Sequence, residues 1–232
     1  MKIIRNKKEA LEVVRQNGMY LEYTSKELKS DKEVVLLAVK QSGDSLHYAS
    51  KELKNNKEVV LAAVNQVGGA LYYASKELKA DKEVVLEAVI RDGMILAFAS
   101  EELQKDKEVV LEALRKDGRA LMYIGEELKN NKEIVIVAIT QNGDALRYAS
   151  KKLKNNKEVV LKAITQYGYA LAYANKELKQ DKEILYFLKD FLADNKRTFE
   201  EEYELLVKYE REDELVKNIE GKENLTKIRK KV

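Results

Sequence analysis

Cysteine and proline are absent from this 232-residue chain, glycine occurs ten times, and histidine once. Without cysteine there are no disulfides, thiolate metal ligands or cysteine nucleophiles, so nothing demands an oxidising compartment. The lack of proline, with so little glycine, fits an almost wholly helical chain. One histidine without cysteine cannot build a conventional structural zinc site. His47 has no repeated partner and makes a poor general base. No apolar run approaches the length of a membrane span, and the opening MKIIRNKKEALEVV lacks the apolar core of a secretory signal. A soluble cytoplasmic protein without membrane association is the expectation. The net charge is only +3, so any basic site must come from local clustering.

What the chain has in abundance is repetition. Leucine falls at Leu28, Leu53, Leu78, Leu103, Leu128, Leu153 and Leu178, and glycine at Gly18, Gly43, Gly68, Gly93, Gly118, Gly143 and Gly168. Both series keep a 25-residue period without a slip. A fixed period in this range marks stacked repeats, because one unit cannot bury its apolar face without neighbours.

Residues 31–55 show how one unit works. Asp31 suits an N-cap, as do Asn6, Asn56, Asp81, Asp106, Asn131, Asn156 and Asp181 in the same slot. Glu33 favours the positive end of a helix. Val34, Val35, Leu36, Ala38 and Val39 supply two apolar faces, as a helix packed between neighbours needs. Gly43 is expected to supply a left-handed C-terminal turn, which places the first helix at about 32–42. Leu46, Tyr48, Ala49 and Leu53 mark a second arm. Ser50 is a possible local cap within it, so this arm is short or split into two turns.

The sequence therefore predicts an all-α fold: an α-solenoid of seven 25-residue helical-hairpin repeats over 1–192, with a C-terminal cap and basic tail over 193–232. Eight first-arm helices are expected. The first is degraded at Lys8, Glu9 and Ala10, as an end repeat should be. Ala193 replaces the glycine at the other end. Thr198 and Glu201 form a capping-box signal for a helix over 198–219, stopped by Gly221.

The pattern DKEVVLxAVxQxGxALxYASxEL resembles the domain-of-unknown-function 4116 repeats of bacteria and their viruses, over about residues 6–192. The resemblance implies an α-helical repeat fold and brings no catalytic residues.

Within the repeats, the ring series Tyr23, Tyr48, Tyr73, Phe98, Tyr123, Tyr148 and Tyr173 reads as a core position, since Phe98 shows that the hydroxyl is dispensable. No phosphate loop, nucleotide fingerprint or nucleophile elbow appears. No enzyme, cofactor or metal is expected.

Information lies where the repeats differ. Five offsets vary freely, in the second repeat Leu37, Lys40, Gln41, Asp44 and His47. The first four share one helix face, and stacking aligns them into a continuous surface. In the middle repeats this surface carries Arg91, Arg115, Lys116, Arg119 and Arg147 together with Ile90, Met94 and Met122, flanked by Tyr72 and Tyr169. Arginine, methionine and aromatic side chains are common interface anchors. These ten residues are the candidate partner-binding site. The expected function is a non-enzymatic protein-binding scaffold. By family analogy, one concrete version is a phage-encoded inhibitor that blocks a bacterial defence nuclease (an anti-CRISPR type of activity). The alternative is an RNA- or single-strand-binding solenoid.

Overall fold

The computed structural model describes residues 3–194, and the expected cap over 198–219, Gly221 and the basic tail lie outside the described residues. Eight long helices stand one per period. They are α1 (Lys7–Gln16), α2 (Lys32–Gln41), α3 (Lys57–Gln66), α4 (Lys82–Arg91), α5 (Lys107–Lys116), α6 (Lys132–Gln141), α7 (Lys157–Ile164) and α8 (Lys182–Asp194). From α1 to α7, consecutive long helices pack on one another, which gives the solenoid. Among the described residues the only β feature is an isolated bridge between Ile4 and Thr24.

Each N-cap residue accepts from the free amides of its first turn. Asp31 Oδ1, for instance, accepts from Glu33 and Val34 at 3.0 and 3.2 Å. The second arm is two short turns rather than one helix. A 3₁₀ segment such as Gly43–Tyr48 is followed by a 3₁₀ turn such as Leu53–Asn55, or by a four-residue α-turn in the last three repeats. Ser50 Oγ accepts from the Leu53 amide at 3.3 Å, and Ser75, Ser100 and Ser150 do the same in their repeats. One backbone bond crosses each repeat boundary here, as from the Ser75 amide to the Lys54 carbonyl at 2.9 Å.

The core runs the length of the array. Val34, Val35, Ala38 and Val39 and their equivalents in α3 to α7 are fully buried between neighbouring helices, with the leucine series Leu21, Leu46, Leu71, Leu96, Leu121, Leu146 and Leu171 beneath them. Leu103 and most of its series are also buried, whereas Leu128 and Leu178 are only half-buried.

The glycines have a different role from the expected one. The helix ends at Ser42 in extended backbone (φ −147°, ψ 111°), and Gly43 opens the following 3₁₀ turn outside the left-handed region. What selects glycine is close approach. A Cβ on Gly68 or Gly143 would lie 2.7 or 2.6 Å from the carbonyl oxygen of Ala88 or Ala163 in the next long helix, and at Gly43 and Gly118 closer still. Where Ala193 replaces the glycine, α8 continues through it to Asp194.

Neighbouring repeats are also joined by an ionic ladder at the helix N-termini. Lys57 Nζ reaches both Asp81 (2.7 Å) and Glu83 (2.8 Å) one repeat on, and Lys82 reaches Asp106 and Glu108 in the same way. Where the N-cap is Asn56 or Asn156, the lysine before it holds the glutamate alone: Lys32 to Glu58 at 2.6 Å and Lys132 to Glu158 at 2.5 Å.

Candidate functional site

The variable offsets lie at the surface. Lys40, Gln41, Asn65, Gln66, Ile90, Arg91, Arg115, Lys116, Thr140 and Gln141 are all exposed on the long helices, and Thr165 and Gln166 are exposed in the turn just after α7. They align across repeats, since Arg91 Nη2 donates to Asn65 Oδ1 at 2.6 Å over a boundary.

The ten expected binding residues divide into two kinds. Among the apolar ones, Tyr72 is 56% exposed, Ile90 50% and Met122 38%, while Met94 and Tyr169 are half-buried. Tyr169 packs near Tyr167 at 5.3 Å, and Tyr72 belongs to a separate cluster, so the two do not form a pair. Among the cations, each arginine is matched by an acid of its own repeat. Arg91 lies 3.9 Å from Glu87, Arg115 pairs with Glu112, and Arg147 lies 3.9 Å from Asp144. Arg119 folds back on Asp117 through three side-chain contacts of 2.7–3.1 Å, which hold the Asp117 carboxyl below the usual carboxylate range. Lys116 is exposed with no ion-pair partner among the described residues.

The ring series is half-buried along the array rather than inside it. Tyr48, Tyr73, Phe98, Tyr148 and Tyr173 rest on the core with part of each ring in solvent. Three successive pairs of these rings are bridged by the variable residue that precedes the first ring of the pair. His47 lies 4.9 Å from both Tyr48 and Tyr73, edge-to-face with each. Tyr72 lies 5.2 Å from Tyr73 and 5.0 Å from Phe98 in the same manner. The Arg147 guanidinium sits 5.3 Å from the Tyr148 ring and 5.6 Å from Tyr173. Tyr173 donates to Asp144 Oδ1 at 2.8 Å, and burial together with this bond pushes its hydroxyl well above the ordinary phenol value. His47 is thus exposed and at the same time a rung in a ladder.

A third set of lysines closes the second arm. Lys54 Nζ donates to the His47 carbonyl at 2.6 Å and Lys79 to the Tyr72 carbonyl at 2.7 Å. In the fourth repeat Gln104 replaces the lysine, and its Nε2 donates to the Leu96 and Ala99 carbonyls at 3.2 Å. Among the described residues no group of three or more histidine or acidic side chains is placed to hold a metal ion, and no helix is long and apolar enough to cross a membrane.

The period, the capped long helix and the split second arm now find their counterpart in a family model. The model described as domain of unknown function DUF4116 matches four consecutive stretches, residues 6–54, 56–104, 106–154 and 156–186. The chain belongs to the DUF4116 family. Each of the first three DUF4116 matches spans two of the 25-residue units, from the N-cap of one long helix through the second arm of the next repeat. The ladder of rings runs through all four. No curated protein and no solved structure matches the chain.

Proposed function

We propose that this DUF4116 array is a non-enzymatic scaffold that binds a protein partner along its variable face. One observation carries the reading. The arginines of that face are already neutralised by carboxylates of the same chain, while large apolar side chains among them stand exposed. A phosphate backbone gains its affinity from unneutralised cations. Here it would meet Glu87, Glu112, Asp117 and Asp144 beside Arg91, Arg115, Arg119 and Arg147. A protein interface instead draws on exposed aromatic, methionine and arginine side chains with matched polar neighbours. The framework residues are spent on packing, so partner choice falls to the offsets that differ between repeats. A finer version, in which the array is a phage-encoded inhibitor occupying a bacterial defence nuclease, rests on family resemblance alone.

The test is affinity capture from the native host by the tagged full-length chain, with and without nuclease treatment, for wild type and for Ile90→Asp and Met122→Asp. A protein retained after nuclease treatment and lost in the variants supports the reading. Loss on nuclease treatment would favour the single-strand-binding alternative. Full retention by both variants would overturn the variable face as the interface.

A further inference from the structure

A groove of about 530 Å³ runs between α1 and α2, a volume within the range of ligand clefts. Its floor is Leu11 of α1 with Leu36 and Leu37 of α2, all half-buried, and the exposed Arg15 and Lys40 line it as well. The register explains why it forms at this junction. Leu37 sits at the offset that faces the preceding helix, and the residues at that offset in α3 to α7 are Ala62, Glu87, Glu112, Val137 and Lys162. The offset of Arg15 and Lys40 carries Asn65, Ile90, Arg115, Thr140 and Thr165 further along. The last helix has Phe187 at the first offset but Asp190 at the second. Among the described helices, α1 and α2 are therefore the one neighbouring pair with a cation on both sides.

The charges separate along the groove. At one end Glu33 is held by Lys7 at 2.9 Å, and Lys32 by Glu58 at 2.6 Å. At the other end Arg15 and Lys40 form no ion pair among the described residues. Lys40 acts through space on Glu58, but Glu58 already takes its hydrogen bond from Lys32 and does not line the groove. Glu12, exposed and unpaired, shares the register of Leu37. On α1 that register turns away from α2, and Glu12 does not line the groove either.

We propose that the groove between α1 and α2 docks an acidic amphipathic helix of a protein partner, with aliphatic side chains on the leucines and carboxylates against Arg15 and Lys40.

The walls favour a helix over an extended segment. A strand needs backbone partners, and these walls are helices whose own amides and carbonyls are bonded internally. A docking helix arrives with its backbone already paired. From Lys32 to Lys40 the wall is about 12 Å long, roughly two helical turns, which suits apolar side chains at i and i+3 or i+4. Two unneutralised cations select carboxylates at that end. A nucleic-acid strand would need rings to stack on, and this floor is leucine alone.

Because this site rests on the protein-binding reading and extends it to the N-terminal end of the variable face, it is tested with a defined ligand rather than the captured partner. The probe is an alanine-based peptide of about 14 residues, long enough to hold some helix alone. It carries leucine at i and i+4 with glutamate on the flank, and a twin carries lysine in place of glutamate. Each is titrated into the full-length chain and followed by amide resonances in NMR. The acidic peptide should give saturable shifts around Leu11, Arg15, Leu37 and Lys40, and the twin should bind at least tenfold more weakly. Arg15→Glu with Lys40→Glu should reverse that preference. Leu37→Glu introduces the residue that α4 and α5 carry at this offset, so the fold is kept, and acidic-peptide binding should fall at least tenfold. Absence of saturable shifts, equal binding of the two peptides, or unchanged binding by Leu37→Glu would overturn the proposal. So would decanoate or oligouridylate that shifts these resonances where the acidic peptide does not. A dimer in sedimentation that Leu37→Glu dissolves would assign the groove to a second copy instead. An unchanged peptide preference in the double variant, with a lower melting temperature, would return both cations to the role of helix-end charges. Ile90→Asp and Met122→Asp should bind the acidic peptide as wild type does. Loss of binding there would place the peptide on the middle repeats and overturn the groove, whereas failure of the groove leaves the middle face standing.

Discussion

A Cβ on Gly118 would fall inside van der Waals contact with the carbonyl oxygen of Ala138, in the long helix of the next repeat. The glycine is therefore a spacing device that sets how closely one second arm sits on the following helix. Gly118→Ala is expected to destabilise the array by several kcal/mol, since a backbone carbonyl cannot move aside as a side chain can. Gly69→Ala is the control. Nothing lies within 4 Å of its Cβ position and its φ is not left-handed, so the change should be neutral or stabilise by about 0.4–1 kcal/mol. Urea unfolding of both variants decides the matter. Equal effects would refute the close-approach role.

Leu103→Ala empties a buried site in a central repeat and should cost about 2–5 kcal/mol. His47→Ala should cost less, about 0.5–1.5 kcal/mol, because it removes two edge-to-face ring contacts at the surface. Thermal unfolding gives the order. A larger loss at His47 would mean that the ladder, and not the leucine series, holds the stack together.

The ionic ladder sets a pH window. The hydrogen bond from Lys82 holds the Asp106 carboxyl below its ordinary value, with the Glu108 and Val109 amides adding to the effect. A depressed carboxylate stabilises the fold above its unfolded value, about 3.9, and that stabilisation fades as pH falls through the folded value. Lys82 is shifted up by Asp106 and then Glu108. Its contribution is present below about 10.4 and is lost as pH climbs through the folded value. Stability should therefore be flat from about pH 5 to pH 10 and decline outside it. Asp106→Asn keeps the N-cap, as Asn131 does, and should cost less than about 1 kcal/mol with a shallower acid limb. Chemical unfolding across pH measures both.

Arg115→Glu with Arg119→Glu changes two exposed positions and should leave the circular dichroism unchanged. Against the captured partner it should weaken affinity at least tenfold, with Met122→Asp showing a comparable loss. Affinities measured at two salt concentrations test this. Wild-type affinity in both variants would direct attention away from the middle repeats.

Much of the fold is legible in the sequence because its causes are local. An N-cap such as Asp31 acts two or three residues away, and the Ser50 cap acts three residues away. The role of the glycines was not legible. Gly118 and Ala138 lie 20 residues apart, and residue type alone does not separate a left-handed turn from close approach. Periodicity likewise shows that Tyr48 and Phe98 occupy equivalent sites but not that the sites are half in solvent. The ladder from Lys57 to Glu83 was present as charges at fixed offsets, yet pairing them required knowing which neighbour each helix faces. At the candidate face, Asp117 was available as a partner for Arg119 two residues away, a signal that an inventory of cations passes over.

One rung of that ionic ladder is missing. Lys107 forms no ion pair among the described residues, while the long helices before and after it are each tied forward by Lys82 and Lys132. In an array where each unit touches only its neighbours, strength along the axis is that of the weakest junction. Pulled from its two ends, the chain should part first between α5 and α6. One piece would then keep five of the long helices and the other the last three.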